Sequence, residues 1–319
     1  MDEKLQEQMA MYAEQNERPE AEKGNVQTIE AQPVIPQAKA GFKKTEKAIR
    51  IEQEVDRMGY HSLPIKTLPT GGLFYPEGTE VLIRAARGEE IKHWSTMDDT
   101  ELENINAVWN FIIEKCVVVR GSQGASWRDL KEIDKLYITL AIRELTFVDD
   151  ENNLTVSVSE GKDVPITKEM VHYVEIPREI MEHYDKDERC FIFRIKKSGR
   201  VIKMYIPSFG VSEWLTNYFN QKVAEKTGFD LDFIQMAPML IPDYRNLSRK
   251  SYEDLVMSCS GWGVDEWSVV SYVIDVLKKT LQPTFKYKKE DGTEVEVPVT
   301  FRGGVKAIFT VSNPLSLLC

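Results

Sequence analysis

At 319 residues, with 42% hydrophobic and 29% charged side chains, the chain has the composition of a folded globular protein and length for one large domain or two ordinary ones. Its formal net charge of -10 argues against nucleic acid as a principal partner, because phosphate binding calls for a basic field. No apolar run approaches the roughly 18–20 residues that span a bilayer. The acidic, polar N-terminus also lacks the basic and apolar regions of a secretory signal, so the cytoplasm of synthesis is the expected place of work.

Residues 1–40 are rich in Glu, Gln, Ala and Pro and poor in aromatics. Such a segment cannot bury enough apolar surface to offset its ordering entropy, so 1–42 reads as a disordered acidic tail. Residues 43–62 read as a charged helix and linker, with few apolar positions among opposite charges three or four apart. Leu68-Pro69-Thr70-Gly71-Gly72 and Phe74-Tyr75-Pro76-Glu77-Gly78 are turn chemistry. Thr79–Arg84 alternates as a short strand, and Gly88-Glu89-Glu90 opens a helix.

Apolar residues recur at three- and four-residue steps through 98–119, from Leu102 to Cys116, with Asp98 and Asp99 as candidate caps. After the loop GSQGAS, a second amphipathic helix follows Asp129 and bears Leu130, Ile133, Leu136, Leu140 and Leu145. Two antiparallel helices joined by a short loop are therefore expected to form the core of a module over 63–148. From 150 the period switches to two, giving strands over 154–158, 171–176, 190–195 and 201–206, with a hairpin turn at 198–200. Helical patterns return near 211–223, 230–239, 249–259 and 264–281, and a closing hairpin over 284–300 turns at Asp291-Gly292. The fold class expected is α+β: a helical N-terminal core, an antiparallel β/helical module over 149–319 and the N-terminal tail.

The chain carries no phosphate-binding loop, dinucleotide fingerprint, zinc-protease helix or nucleophile elbow. His61, His93, His172 and His183 are scattered, and Cys116, Cys190, Cys259 and Cys319 include no C-x-x-C pair. Paired acids at 89/90, 98/99 and 149/150 sit at helix starts or turns, where carboxylates cap amides or are solvated. The reading is therefore of no catalytic residue, no cofactor and no metal. Six tryptophans and twelve tyrosines in such a chain point to protein contacts instead. The candidate contact residues are Leu68, Pro69, Gly71, Gly72, Phe74, Tyr75, Pro76, Trp94 and Trp262, the last set between two glycines in SCSGWGVDEW.

The block 63–147 resembles the T4-like phage baseplate family, whose type member is a hub assembly protein. The likeness lies in LP-x-x-G-x-x-YP-x-G from Leu68 to Gly78, VLIR at 81–84, EEIKHWSTM at 89–97, FIIEKCV at 111–117 and DLKEIDKLYITLAIRELTF at 129–147. This resemblance implies a part in building the hub or inner baseplate of a contractile tail, as a structural component or an assembly chaperone. Its partners would be other baseplate or hub proteins, met in the host cytoplasm or in the virion tail. A tail-tube initiator and a tail-carried cell-wall hydrolase are the alternatives. The chain departs from the family in its long N-terminal tail, in the extra material over 150–319 and in the absence of a C-x-x-C pair after the second helix.

Overall fold

The computed structural model describes residues 59–98, 102–122, 124–147, 154–158, 162–228, 231–289, 291–301 and 303–309. The tail, the helix expected over 43–58, the cap at Asp99, the acids at 149/150 and Cys319 lie outside them. The class is α+β, with eight helices and several small antiparallel sheets among the described residues. The described residues belong to one compact unit.

A three-stranded sheet comes first: β1 (His61–Leu63), β2 (Glu80–Ile83) and β3 (Val117–Arg120), in that order and all antiparallel. Between β2 and β3 run α1 (Gly88–Thr96) and α2 (Leu102–Cys116). The helix expected to continue to 119 stops at Cys116. Val117, Val118 and Val119 are β-branched, and a strand lets them alternate, with Val117 and Val119 buried and Val118 half-buried. The two long helices are thus joined through a strand rather than a plain loop. The second, α3 (Lys135–Thr146), starts six residues later than Asp129, after two 3-10 turns at Trp127–Asp129 and Glu132–Asp134.

Next come the pair β4 (Thr155–Ser157) and β5 (Asp163–Pro165), the short β6 (Val171–His172) and α4 (Arg178–Met181). The sheet β7 (Tyr184–Asp185), β8 (Cys190–Arg194) and β9 (Val201–Met204) carries the expected hairpin, with Gly199 at φ +67° in its turn. Four helices follow: α5 (Phe209–Ala224), α6 (Leu231–Leu240), α7 (Arg249–Ser260) and α8 (Val264–Leu281). The hairpin of β10 (Thr284–Lys288) and β11 (Glu294–Pro298) turns through Gly292 at φ +86° and pairs its first strand with β6.

The buried apolar residues fall into two clusters. The second is made mostly of residues 180–277. The first does not close within 63–148, because Leu154 to Val171, Phe285, Val305, Ile308 and Phe309 complete it. Trp94 donates to the Lys306 carbonyl at 3.2 Å and packs edge-on against Phe309 at 5.0 Å, and Arg143 donates to the Ile308 carbonyl at 2.5 Å.

A buried carboxylate ties the two clusters together. Asp134 is 0% exposed; it accepts from the Thr70 backbone N–H and hydroxyl, each at 3.0 Å, and from the Tyr75 hydroxyl at 2.6 Å. The Tyr75 oxygen in turn accepts from the Lys131 N–H at 3.0 Å. With Thr70 and Tyr75 so held, Leu68 enters the first cluster, and Phe74 enters the second against Tyr184 and Phe191 at 5.4 and 5.7 Å. The backbone continues the same seam: Glu132 N–H donates to Pro207 O and Phe209 N–H to Leu130 O, both at 2.9 Å. A second buried pair steadies α1. Arg84 donates to both Glu90 oxygens, at 2.8 and 2.6 Å, and to the Lys115 carbonyl at 2.6 Å, and Glu90 accepts from the Arg87 N–H at 2.8 Å.

Burial pushes the Asp134 carboxyl up to about 6, outweighing the Tyr75 and Thr70 hydrogen bonds that favour its charged form. The folded protein therefore binds a proton between about pH 4 and 6 that the unfolded chain, with an ordinary carboxylate near 3.9, does not. Stability from this group falls as pH rises through that window and is level above it. In urea unfolding, wild type minus Asp134→Asn should lose up to about 3 kcal/mol between pH 4 and 7, and a flat difference would refute the assignment.

Candidate partner-binding surface

The candidate contact residues part company in the structure. Leu68, Phe74, Tyr75 and Trp94 are buried in the chain's own core, so the contact role expected of them is replaced by an internal one. Their turn chemistry serves the same end. Gly71 and Gly72 adopt φ +59° and +82°, reversing the chain so that Thr70 and Tyr75 face one carboxylate, and a Cβ on Gly72 would crowd the Ile65 side chain at 3.2 Å. Pro69 and Pro76 are half-buried at the ends of this clasp and Gly71 is exposed. Leu73, between the glycines and Phe74, is 46% exposed, and its carbonyl accepts from the Tyr184 hydroxyl.

Trp262 alone of the candidate aromatics is not fully buried, packing at the edge of the second cluster. It is half-buried in the turn from α7 to α8, tilted against Trp267 with ring centroids 5.0 Å apart. Around it the corner is apolar and open: Met257 is 73% exposed and Val264 81%. Gly261 and Gly263 leave no side chain of their own to cover this corner.

Beside the corner runs a groove of about 710 Å³ between α8, α4 and the β8–β9 hairpin. Its floor includes the buried Ile180, Phe193, Ile195 and Val273. Tyr272 stands at its lip, 51% exposed, and donates to Glu179 at 2.6 Å. The hairpin gives the groove a basic rim of Arg194, Lys196 and Lys197. Lys197 pairs with Asp265 at 2.9 Å, while the side chains of Arg194 and Lys196 make no ion pair or hydrogen bond among the described residues. An apolar trough edged by free cations favours an acidic segment with one apolar face.

Two sequence features mark this surface. The stretch 194–203 holds Arg194, Lys196, Lys197, Arg200 and Lys203 with no acid among them, against an overall charge of -10. The helix α8 has more apolar residues than one buried face uses: Val270, Val273, Ile274 and Leu277 enter the core, while Val264 and Tyr272 are left outside.

The remaining chemistry is quiet. Cys116, Cys190 and Cys259 are buried and free; burial pushes the Cys116 thiol up to about 12 and Cys259 to about 11. Among the described residues, no group of three or more His, Cys, Asp or Glu side chains could hold a metal ion, and no helix is long and apolar enough to cross a membrane. Comparison with protein-family models, with curated proteins and with solved structures finds no match.

The divided roles of the two tryptophan sites are measurable. Trp94→Ala should cost about 3–5 kcal/mol in denaturant unfolding, as a fully buried aromatic does. Met257→Ser and Val264→Ser at the open corner should each stay within about 0.5 kcal/mol of wild type. A large loss at either corner position would mean that the chain covers this surface itself.

Proposed function

We propose that this chain is a component or assembly factor of the baseplate hub of a contractile phage tail and acts through protein–protein contacts. The resemblance over 63–147 supplies the setting. The observation that carries the contact role is the open apolar groove and corner along α8, with Tyr272 and Val264 exposed where an isolated folded chain gains nothing from exposing them. The occupant that this surface suits is an acidic, apolar-faced segment of a neighbouring tail protein, drawn by the Arg194–Lys197 rim and seated on Phe193, Ile195 and Val273. Many of the described aromatics and buried polar groups are engaged in holding the fold. Tyr75, Thr70 and Asp134 satisfy one another, as do Arg84 and Glu90.

Quantitative mass spectrometry of purified infectious particles against infected-cell lysate tests the assignment. A fixed small copy number per particle identifies a structural part, and abundance in lysate with absence from particles identifies an assembly factor. Independence of its level from tail assembly in both fractions would refute the reading. Combined Arg194→Glu and Lys196→Glu should weaken association with the tail partner tenfold or more without lowering the unfolding midpoint. Undiminished association would remove the groove from the proposal.

A further inference from the structure

A second cavity, of about 280 Å³, opens on the other side of the clasp, where Tyr75 and Pro76 meet the turn at 188–189 and the loop at 242–245. Its wall brings together Lys131, Arg189 and Arg245 with Asp129, Glu188 and Asp243. Most of these charges are already matched. Arg245 donates to Asp129 at 2.5 Å and to Asp243 at 3.3 Å, and Glu188 is paired with Lys203 at 2.9 Å. The side chains of Lys131 and Arg189 are left with no hydrogen bond or ion pair among the described residues. Arg245 serves both Asp129 and Asp243, so the charges of the wall balance, and Lys131 and Arg189 are its two cations without a direct partner.

We propose that this cavity binds a small oxyanion, a phosphate group or a carboxylate, held between the Lys131 ammonium and the Arg189 guanidinium. The two cations lie within electrostatic reach of one another. Burial holds the Lys131 amine below its ordinary value and Arg189 adds to that effect, while Asp129, Asp134 and Asp243 oppose it. An anion between them relieves both the desolvation and the mutual repulsion, and the planar guanidinium fork suits two oxygens of one anionic group. The volume sits just below the roughly 300–1,000 Å³ of small-molecule sites, so it has room for an oxyanion on a small carrier.

The backbone supplies an independent observation. Arg189 adopts φ +53°, in the left-handed region that glycine or asparagine ordinarily fills. It closes the turn from β7 to β8, and that turn is already built without the Arg189 side chain: the Asp185 carboxylate accepts from the N–H groups of Asp187 and Glu188 at 3.0 and 2.8 Å. The guanidinium makes no hydrogen bond within the hairpin, and the exposed Arg189 lines the cavity wall. The competing structural account makes Lys131 a distant counter-charge for Asp134 and Arg189 a turn residue alone.

Arg189→Gly separates these accounts, because glycine relaxes the backbone while it removes the cation. The unfolding temperature of the full chain would be followed against sodium phosphate and, separately, sodium succinate, at ionic strength matched with sodium chloride. Wild type should show a saturable rise with phosphate, with succinate, or with both, and which of them acts names the oxyanion. Arg189→Gly should match or exceed wild type in chloride yet bind the active anion at least tenfold more weakly, and Lys131→Gln should lose the same response. A wild-type rise without saturation, no rise with either anion, or a full response in Arg189→Gly would overturn the proposal. The inference is independent of the partner surface along α8 and stands or falls without it.

Discussion

The position of the Asp134 carboxylate is the constraint on which most of this molecule depends. Left unpaired, a buried carboxylate is among the costliest groups a fold can contain. Here three donors meet it, and all three come from one short stretch of chain about sixty residues earlier. The turn between Thr70 and Tyr75 therefore has a single acceptable arrangement. Because Leu68 and Phe74 flank those donors, fixing the turn also fixes which apolar side chain enters which cluster.

The arrangement explains why polar groups sit between two apolar masses that would otherwise slide over one another. Apolar contact is nearly indifferent to small translations, whereas a carboxylate held by three hydrogen bonds is not. The backbone bonds from Glu132 to Pro207 and from Phe209 to Leu130 add direction to the same seam. Arg84 and Glu90 act in a parallel way at the start of α1, joining β2, the helix and the end of α2 through Lys115. In both places stability is exchanged for definiteness of packing.

Much of the architecture was legible in the chain because it is locally encoded. The period-two alternation and the Asp-Gly turn placed the β10–β11 hairpin, and the apolar spacing placed α2, α3 and the four helices after 209. What was illegible depends on partners far away in sequence. Val117–Arg120 satisfies a helical spacing as well as a strand pattern, and pairing with β2 decides it. The aromatics of the Leu68–Gly78 motif look like a surface anchor, since nothing nearby shows that an aspartate at 134 awaits them. Asp134 itself lies among charged neighbours, Lys131, Glu132 and Lys135, and its burial follows only from the tertiary fold. The groove's floor is assembled from β8, α4 and α8, so local pattern could show its basic rim but not the trough behind it.

The completion of the first cluster by the last described residues sets a limit on how the chain is born. Trp94 and the carbonyl that receives its indole proton are 212 positions apart. On the ribosome, the N-terminal cluster must wait with Trp94, Val108 and Ile112 lacking their final cover until Val305–Phe309 has emerged. Contacts of such long range make folding slow and leave sticky intermediates during synthesis. The first cluster therefore closes later than the second, whose buried residues end at Leu277, although its own strands and helices are made first.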